Sequence, residues 1–245
     1  MISSKALIDQ TGISRATLNN YIQLGILPKP VVQSLTANAD EGGARVLGFF
    51  PDDALERVQA VQILKSQGLS MAQVAERLAQ TDTLTGLPNR TLFVDRLQRA
   101  ILKARREKGI FALLFIDVDR FKSINDQFGH SAGDEVLKAC CNRMIACIRD
   151  SDSLGRIGGD EFVLLLEDLH SAQDAMEIAK KIKAAVEVGV SVSGELISTT
   201  VSIGIALYPV DSNSEEGLFK RADLAMYKSK QSGRNTISLN SDVVS

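Results

Sequence analysis

Five residues, Gly158-Gly-Asp-Glu-Phe162, stand between Arg156-Ile157 and the apolar run 163–166, and they constrain this chain more than any other feature. Paired glycines beside a strand-like run specify a tight hairpin turn, because Gly158 and Gly159 reach backbone conformations closed to other residues. The same glycines let the backbone approach a phosphate closely. Two adjacent carboxylates, Asp160 and Glu161, follow at the tip, where they can hold a divalent metal against that phosphate. Such a tip suits phosphoryl transfer from a nucleotide.

A chain of 245 residues with 44% hydrophobic content can bury a full core, and its pattern changes near Thr81-Asp82. Before that point it reads as short helices at 4–10, 14–24, 51–67 and 70–80, opening on Ser or Pro and mostly ending near Gly. After it, strands and helices mix. Strands are expected at 110–118, 195–207 and 236–239, a hairpin at 153–166, and helices at 132–149, 172–188 and 214–231. The expected organisation is two domains, 1–81 and 82–245.

The net charge of −2 gives no general electrostatic argument for a nucleic-acid or anionic-membrane partner. The longest apolar run, 110–116, is too short to cross a bilayer, and Met1-Ile2-Ser3-Ser4 does not open a signal peptide, so a cytoplasmic protein without a membrane partner is expected. Three cysteines, Cys140, Cys141 and Cys147, share one helical stretch and read as free thiols packed as small apolar groups.

Five motifs then occur in order: Asp82-Thr-Leu-Thr-Gly-Leu-Pro-Asn-Arg90; Phe115-Ile-Asp-Val-Asp-Arg-Phe-Lys122, continuing through Asn125-Asp126 to Phe128-Gly-His-Ser-Ala-Gly-Asp134; Arg156-Ile-Gly-Gly-Asp-Glu-Phe162; Val201-Ser-Ile-Gly-Ile205; and the stretch from Ala222 to Asn235. From about Asp82 onward the chain resembles the GGDEF family of diguanylate cyclases. The resemblance implies an α+β fold of the ferredoxin-like, palm-type nucleotidyl cyclase kind. It also implies a reaction that joins two GTP molecules into cyclic di-GMP and releases two pyrophosphates. Each half is an in-line attack of a ribose 3′-hydroxyl on an α-phosphate, limited by positioning and charge neutralisation. Two Mg²⁺ ions per active site, replaceable by Mn²⁺, are the cofactors implied.

By the same resemblance Asp117, Asp160, Glu161 and the carbonyl of Val118 hold metal, and Asp160 accepts the proton of the 3′-hydroxyl with Glu161 beside it. Asn125 and Asp134 read guanine: a carboxylate accepts from guanine N1–H and its exocyclic amine, whereas adenine would set a lone pair against it. Without the family, both would read as helix caps. Lys122, Lys230 and Arg234 meet phosphate, the last two expected on one face at a helix end, and His130 shapes the loop around the nucleotide. Arg149 and Asp152, in an Arg-x-x-Asp pattern five residues before Gly158, match the family's product-inhibition site. Each domain holds one GTP, so turnover requires a two-fold homodimer.

Residues 1–80 resemble the winged helix-turn-helix domain of MerR-type regulators, through 12–21, 24–28, Gly42-Gly-Ala-Arg45, Phe49-Phe50 and Gly68-Leu-Ser70. An all-α winged helix-turn-helix regulatory domain is therefore expected. Its candidate DNA contacts are Arg15, Thr17, Asn19 and Asn20 on the second helix and Arg45 on the wing. Against DNA stand Asn19 and Asn20 where such regulators carry an arginine and an aromatic, and seven basic against seven acidic side chains over residues 1–81. The competing whole-chain reading is a transcription regulator that senses cyclic di-GMP through Arg149 and Asp152 without turnover. The intact metal and guanine residues weigh against it.

Overall fold

A computed structural model of the chain describes residues 1–35, 45–51, 53–192 and 194–243. It forms two compact units, Met1–Thr83 and Leu84–Ser245.

The first unit runs β1 (Ile2–Ser3), α1 (Ser4–Thr11), α2 (Arg15–Gln23), β2 (Val31–Leu35), β3 (Arg45–Phe50), α3 (Ala54–Ser66) and α4 (Met71–Gln80). Ser3, Ser14 and Ser70 cap α1, α2 and α4, each hydroxyl accepting a backbone N–H that the helix leaves unpaired. Gly12, at φ 70°, ends α1 in the left-handed conformation and turns the chain toward α2. Leu7, Leu18, Tyr21, Phe50, Val58 and Val74 are among the residues that close a core of their own.

The expectation of an all-α unit is corrected here. Strands β1, β3 and β2 pair as a three-stranded antiparallel sheet. Strands this short, with apolar residues in couples such as Val31-Val32 and Phe49-Phe50, offer little period-2 alternation to read. Gly42, Gly43 and Ala44, expected from sequence to belong to a wing, lie outside the described residues, as does the Arg45 side chain.

The second unit comprises α5 (Arg90–Glu107), β4 (Ile110–Val118), α6 (Phe121–Phe128), α7 (His130–Ala146), β5 (Ser153–Gly158), β6 (Glu161–Leu169), α8 (Ala172–Glu187), β7 (Val190–Val192), β8 (Glu195–Ile197), β9 (Val201–Tyr208), α9 (Glu215–Gln231) and β10 (Ile237–Leu239). Five strands form one sheet in the order β10-β9-β4-β6-β5, antiparallel except for β10 against β9. Strands β7 and β8 make a separate hairpin.

Strand β4 lies at the centre and is covered on both faces, which is why it reads as an unbroken apolar run. Ala112, Leu114, Ile116 and Val118 pack toward residues of α7 and α8, whereas Phe111, Leu113 and Phe115 pack toward residues of α5 and α9. Each buried leucine there contributes roughly 1.5–3 kcal/mol of apolar burial. Gly204 of β9 lets α9 sit directly on the sheet: a Cβ at that position would lie 2.1 Å from both the Ala222 carbonyl oxygen and the Met226 nitrogen.

Two helices, α5 and α6, go unread in the sequence. Helix α5 is dense in Arg and Lys, yet Phe93, Leu97, Ala100 and Ala104 recur at helical spacing along its buried side. Helix α7 starts at His130, so Asp134 lies inside a helix and caps none. Helix α9 stops at Gln231, so Arg234 falls beyond it and does not share a helix face with Lys230.

Candidate active site

Strand alternation determines which side chains meet. In β4 the odd-numbered residues face α5 and α9, so Asp117 continues the row of Phe111, Leu113 and Phe115. In β6 the residues paired with that row are Leu165, Val163 and, last, Glu161. Asp117 and Glu161 are thus cross-strand neighbours on one face, one at the end of β4 and the other just past the Gly158-Gly159 turn. Gly159 takes φ 44° in that turn, and Arg156 donates two hydrogen bonds to its carbonyl at 2.9 and 2.7 Å. The Val118 N–H donates to the Asp160 carbonyl at 3.1 Å, which ties the turn to the strand end.

Asp117 is 5% exposed and its Oδ2 accepts from Lys230 Nζ at 2.7 Å. Burial pushes its carboxyl up to about 6; the Lys230 hydrogen bond opposes that rise and the charge of Asp160 adds to it. Glu161 is pushed up too, by burial first and then by Asp160 and Asp223. Three acids crowd one strand end at an electrostatic cost that Lys230 only partly relieves.

The convergence of Asp117, Asp160 and Glu161 expected from sequence is only partly present. Among the described residues no group of three or more His, Cys, Asp or Glu side chains is placed to hold a metal ion. What forms is a cross-strand pair with Asp160 adjoining, because like charges repel and Lys230 engages one oxygen of Asp117. The donor set still fits a hard divalent cation: carboxylates and the Val118 carbonyl are all oxygen ligands, and their mutual repulsion is what a cation would offset.

Asn125 lies within α6 and Asp134 within α7. The Asn125 Oδ1 is buried with no hydrogen-bond partner, an acceptor suited to a ligand N–H. It sits tight against Gly133, where a Cβ would come within 1.9 Å of it. Lys122 is exposed on the first turn of α6, and His130 is exposed at the start of α7.

One residue of the second motif is passed over in the sequence reading. Asp119 is 4% exposed, and its carboxylate accepts from Thr200 Oγ1 at 2.6 Å, Ser202 Oγ at 2.7 Å and the Asn235 N–H at 3.0 Å. Asp119 lies in the turn just past β4, two residues after Asp117, and that close repeat of acids was the available signal. Arg234, exposed, stands in the turn that Asp119 grips. A cavity of about 580 Å³ opens beside this turn, lined by Asp119, Arg120, Arg234 and Asn235 among others.

Arg149 is exposed in the turn after α7, and Asp152 accepts from its N–H at 2.9 Å and from the Glu167 N–H at 3.3 Å. A cleft of about 590 Å³ beside Asp152 is lined by Arg96, Arg99, Lys103 and Arg106, at helical spacing on α5. These cations were not singled out from sequence, because the helix that aligns them was not. In the first unit Arg15, Asn19 and Asn20 are exposed on α2, while the Thr17 N–H and hydroxyl are engaged by the Ser14 cap. No helix among the described residues is long and apolar enough to cross a membrane.

Residues 79–236 match the family model described as "Diguanylate cyclase, GGDEF domain". Diguanylate cyclase TpbB of Pseudomonas aeruginosa is 43% identical over 185 residues, 75% of this chain and 41% of the relative. Diguanylate cyclase A of Treponema denticola is 34% identical over 194 residues, 78% of this chain and 52% of that protein. The chain thus spans about half the length of these two relatives or less. A solved structure of the TpbB GGDEF domain alone superposes with a TM-score of 0.65 at 43% identity, covering 67% of this chain and 98% of that one. The GGDEF domain of DgcB from Caulobacter crescentus, solved in complex with c-di-GMP, gives a TM-score of 0.62 at 31% identity, covering 66% of this chain and 96% of that one.

Proposed function

We propose, because this chain belongs to the GGDEF-domain family of diguanylate cyclases, that its second unit condenses two GTP molecules into cyclic di-GMP with release of two pyrophosphates. The observation that carries this reading is the Asp117–Glu161 cross-strand pair with Asp160 adjoining. A buried carboxyl pushed up to about 6 marks acids held together at a cost that folding alone does not require.

Asp117, Asp160, Glu161 and the Val118 carbonyl would hold the divalent cations, Mg²⁺ or Mn²⁺ and two per site. When bound, these ions neutralise phosphate charge and make the ribose hydroxyl more acidic. The protein's own groups do the rest. Asn125 offers its unpartnered Oδ1 and Asp134 its carboxylate to the N–H groups of guanine, which favours GTP over ATP. Lys122, Lys230 and Arg234 meet the triphosphate, and His130 borders the loop. Asp160 accepts the 3′-hydroxyl proton while the in-line geometry is held.

One site binds one GTP, so two chains related by a two-fold axis supply the two halves of the product. Arg149 and Asp152, with the cationic row of α5 nearby, take up cyclic di-GMP and inhibit turnover. The first unit serves as a helix-turn-helix regulatory module. Its balanced charge and the single cation on α2 favour a protein or small-molecule signal over DNA.

The test is to incubate the full chain with GTP and Mg²⁺ over a range of protein concentrations and follow cyclic di-GMP. Specific activity should rise with concentration, and Asp160→Ala or Glu161→Ala should lower it about 10²–10³-fold without lowering the melting temperature. No product at concentrations where the chain is dimeric would overturn the reading.

A further inference from the structure

Asp119 has no part in the chemistry above, yet its carboxylate is buried and takes hydrogen bonds from Thr200, Ser202 and the backbone of Asn235. A buried carboxylate is tolerated where donors replace water, and here they do. The third bond has a particular target. Gly233, Arg234 and Asn235 hold φ values of 107°, 64° and 49°, three successive left-handed residues of which two carry side chains. Left-handed backbone is unfavourable for an arginine, less so for an asparagine, and a run of three persists where surrounding bonds hold it. The Asn235 N–H on Asp119 and the Arg234 N–H on the Ser229 carbonyl, at 3.2 Å, are two of those bonds. The first links the turn to the end of β4, within two residues of Asp117.

We propose that Asp119 is a positioning residue for nucleotide binding, acting through Arg234. By clamping the turn it fixes where the guanidinium stands relative to the strand end that carries the acids. This inference rests on the reading of the second unit as a GTP site. A guanidinium meets phosphate by directional, charge-assisted hydrogen bonds, so its placement governs how much of that interaction is realised.

The test compares the parent, Asp119→Ala, Arg234→Ala, the double variant and Asp119→Asn. Equilibrium binding of a non-reacting GTP analogue is measured alongside KM and kcat. Asp119→Ala and Arg234→Ala should each weaken binding about tenfold, and the double variant no more than either alone, because one acts through the other. KM should move more than kcat. In Asp119→Asn the amide oxygen still accepts from Asn235, and most of the lost affinity should return. An Asp119→Ala protein that binds like the parent overturns the proposal, as does a double variant showing the full product of the two losses. If Asp119→Ala loses its cooperative melt, Thr200→Val, which removes one donor, decides instead. It should weaken binding in the parent background and not in the Arg234→Ala background, and equal weakening in both overturns the proposal. A parent that binds no GTP overturns the cyclase reading and this proposal with it; a parent that binds GTP while the variants behave independently overturns this proposal alone.

Discussion

Lys230 Nζ and Asp117 Oδ2 lie 2.7 Å apart and join the last turn of α9 to the end of β4. The lysine is 29% exposed and the aspartate side chain 7%, so this pair is screened less than the surface ion pairs elsewhere in the unit. A cation entering the acid cluster would compete with Lys230 for Asp117, which frees the ammonium for the phosphates of the nucleotide it accompanies.

The pH dependence of stability follows from Asp117. Its folded value of about 6 lies above the ordinary 3.8, so between those limits the folded chain holds a proton that the unfolded chain has lost. The associated stability is complete below about pH 4 and is lost as pH rises through about 6. Asp117→Asn cannot titrate. Denaturant unfolding of both proteins at pH 4 and pH 7 should show the variant gaining about 2–3 kcal/mol relative to the parent at the higher pH. A difference that stays constant with pH would contradict this.

Gly133 sets the room available to Asn125. A methyl group there would meet the Asn125 Oδ1 at 1.9 Å, so the amide must move. Gly133→Ala should raise the GTP KM about tenfold and cost 1–3 kcal/mol, by roughly the usual penalty of overpacking. Replacing GTP with inosine triphosphate, which lacks the exocyclic amine, should hurt the parent more than an Asp134→Ala variant, as competition kinetics would register.

Gly204 sets the distance between α9 and the sheet. Two backbone atoms of α9 would be only 2.1 Å from a new Cβ, and backbone yields less readily than side chains. Gly204→Ala should therefore destabilise the second unit by about 3 kcal/mol, read from chemical denaturation. Because α9 carries Lys230, GTP affinity should fall too.

On the proposed reading, Arg149 and Asp152 form the inhibitory site. Asp152 is already bound to two backbone N–H groups, whereas Arg149 presents its side chain to solvent. Arg149→Ala should raise the concentration of cyclic di-GMP needed for half-inhibition at least about tenfold. Unchanged inhibition would exclude this pair.

Much of the fold and of the acid cluster is legible in the amino-acid sequence. The apolar run of β4, the turn at Gly158-Gly159 and the serine caps of α2 and α4 are local signals, each carried by residues close in sequence. The Lys230–Asp117 pair was not, because it depends on α9 returning over the sheet at Gly204. Nor was the grip of Asp119 on Asn235, since a buried acid with three donors looks in sequence like any other aspartate. Helix α5 was hidden by its own arginines, whose charge masks an apolar stripe of only a few residues. The small sheet of the first unit was missed because β1 has only two residues and the couples Val31-Val32 and Phe49-Phe50 break the alternation of its partners.

The backbone bond from the Val118 N–H to the Asp160 carbonyl has a kinetic corollary. A tip fixed to the neighbouring strand before substrate arrives has little left to organise afterwards, so the entropy of arranging its acids is spent during folding and not in each catalytic cycle. On the proposed reading, what varies from cycle to cycle is then the encounter of two loaded chains, and the speed of synthesis becomes a matter of meeting.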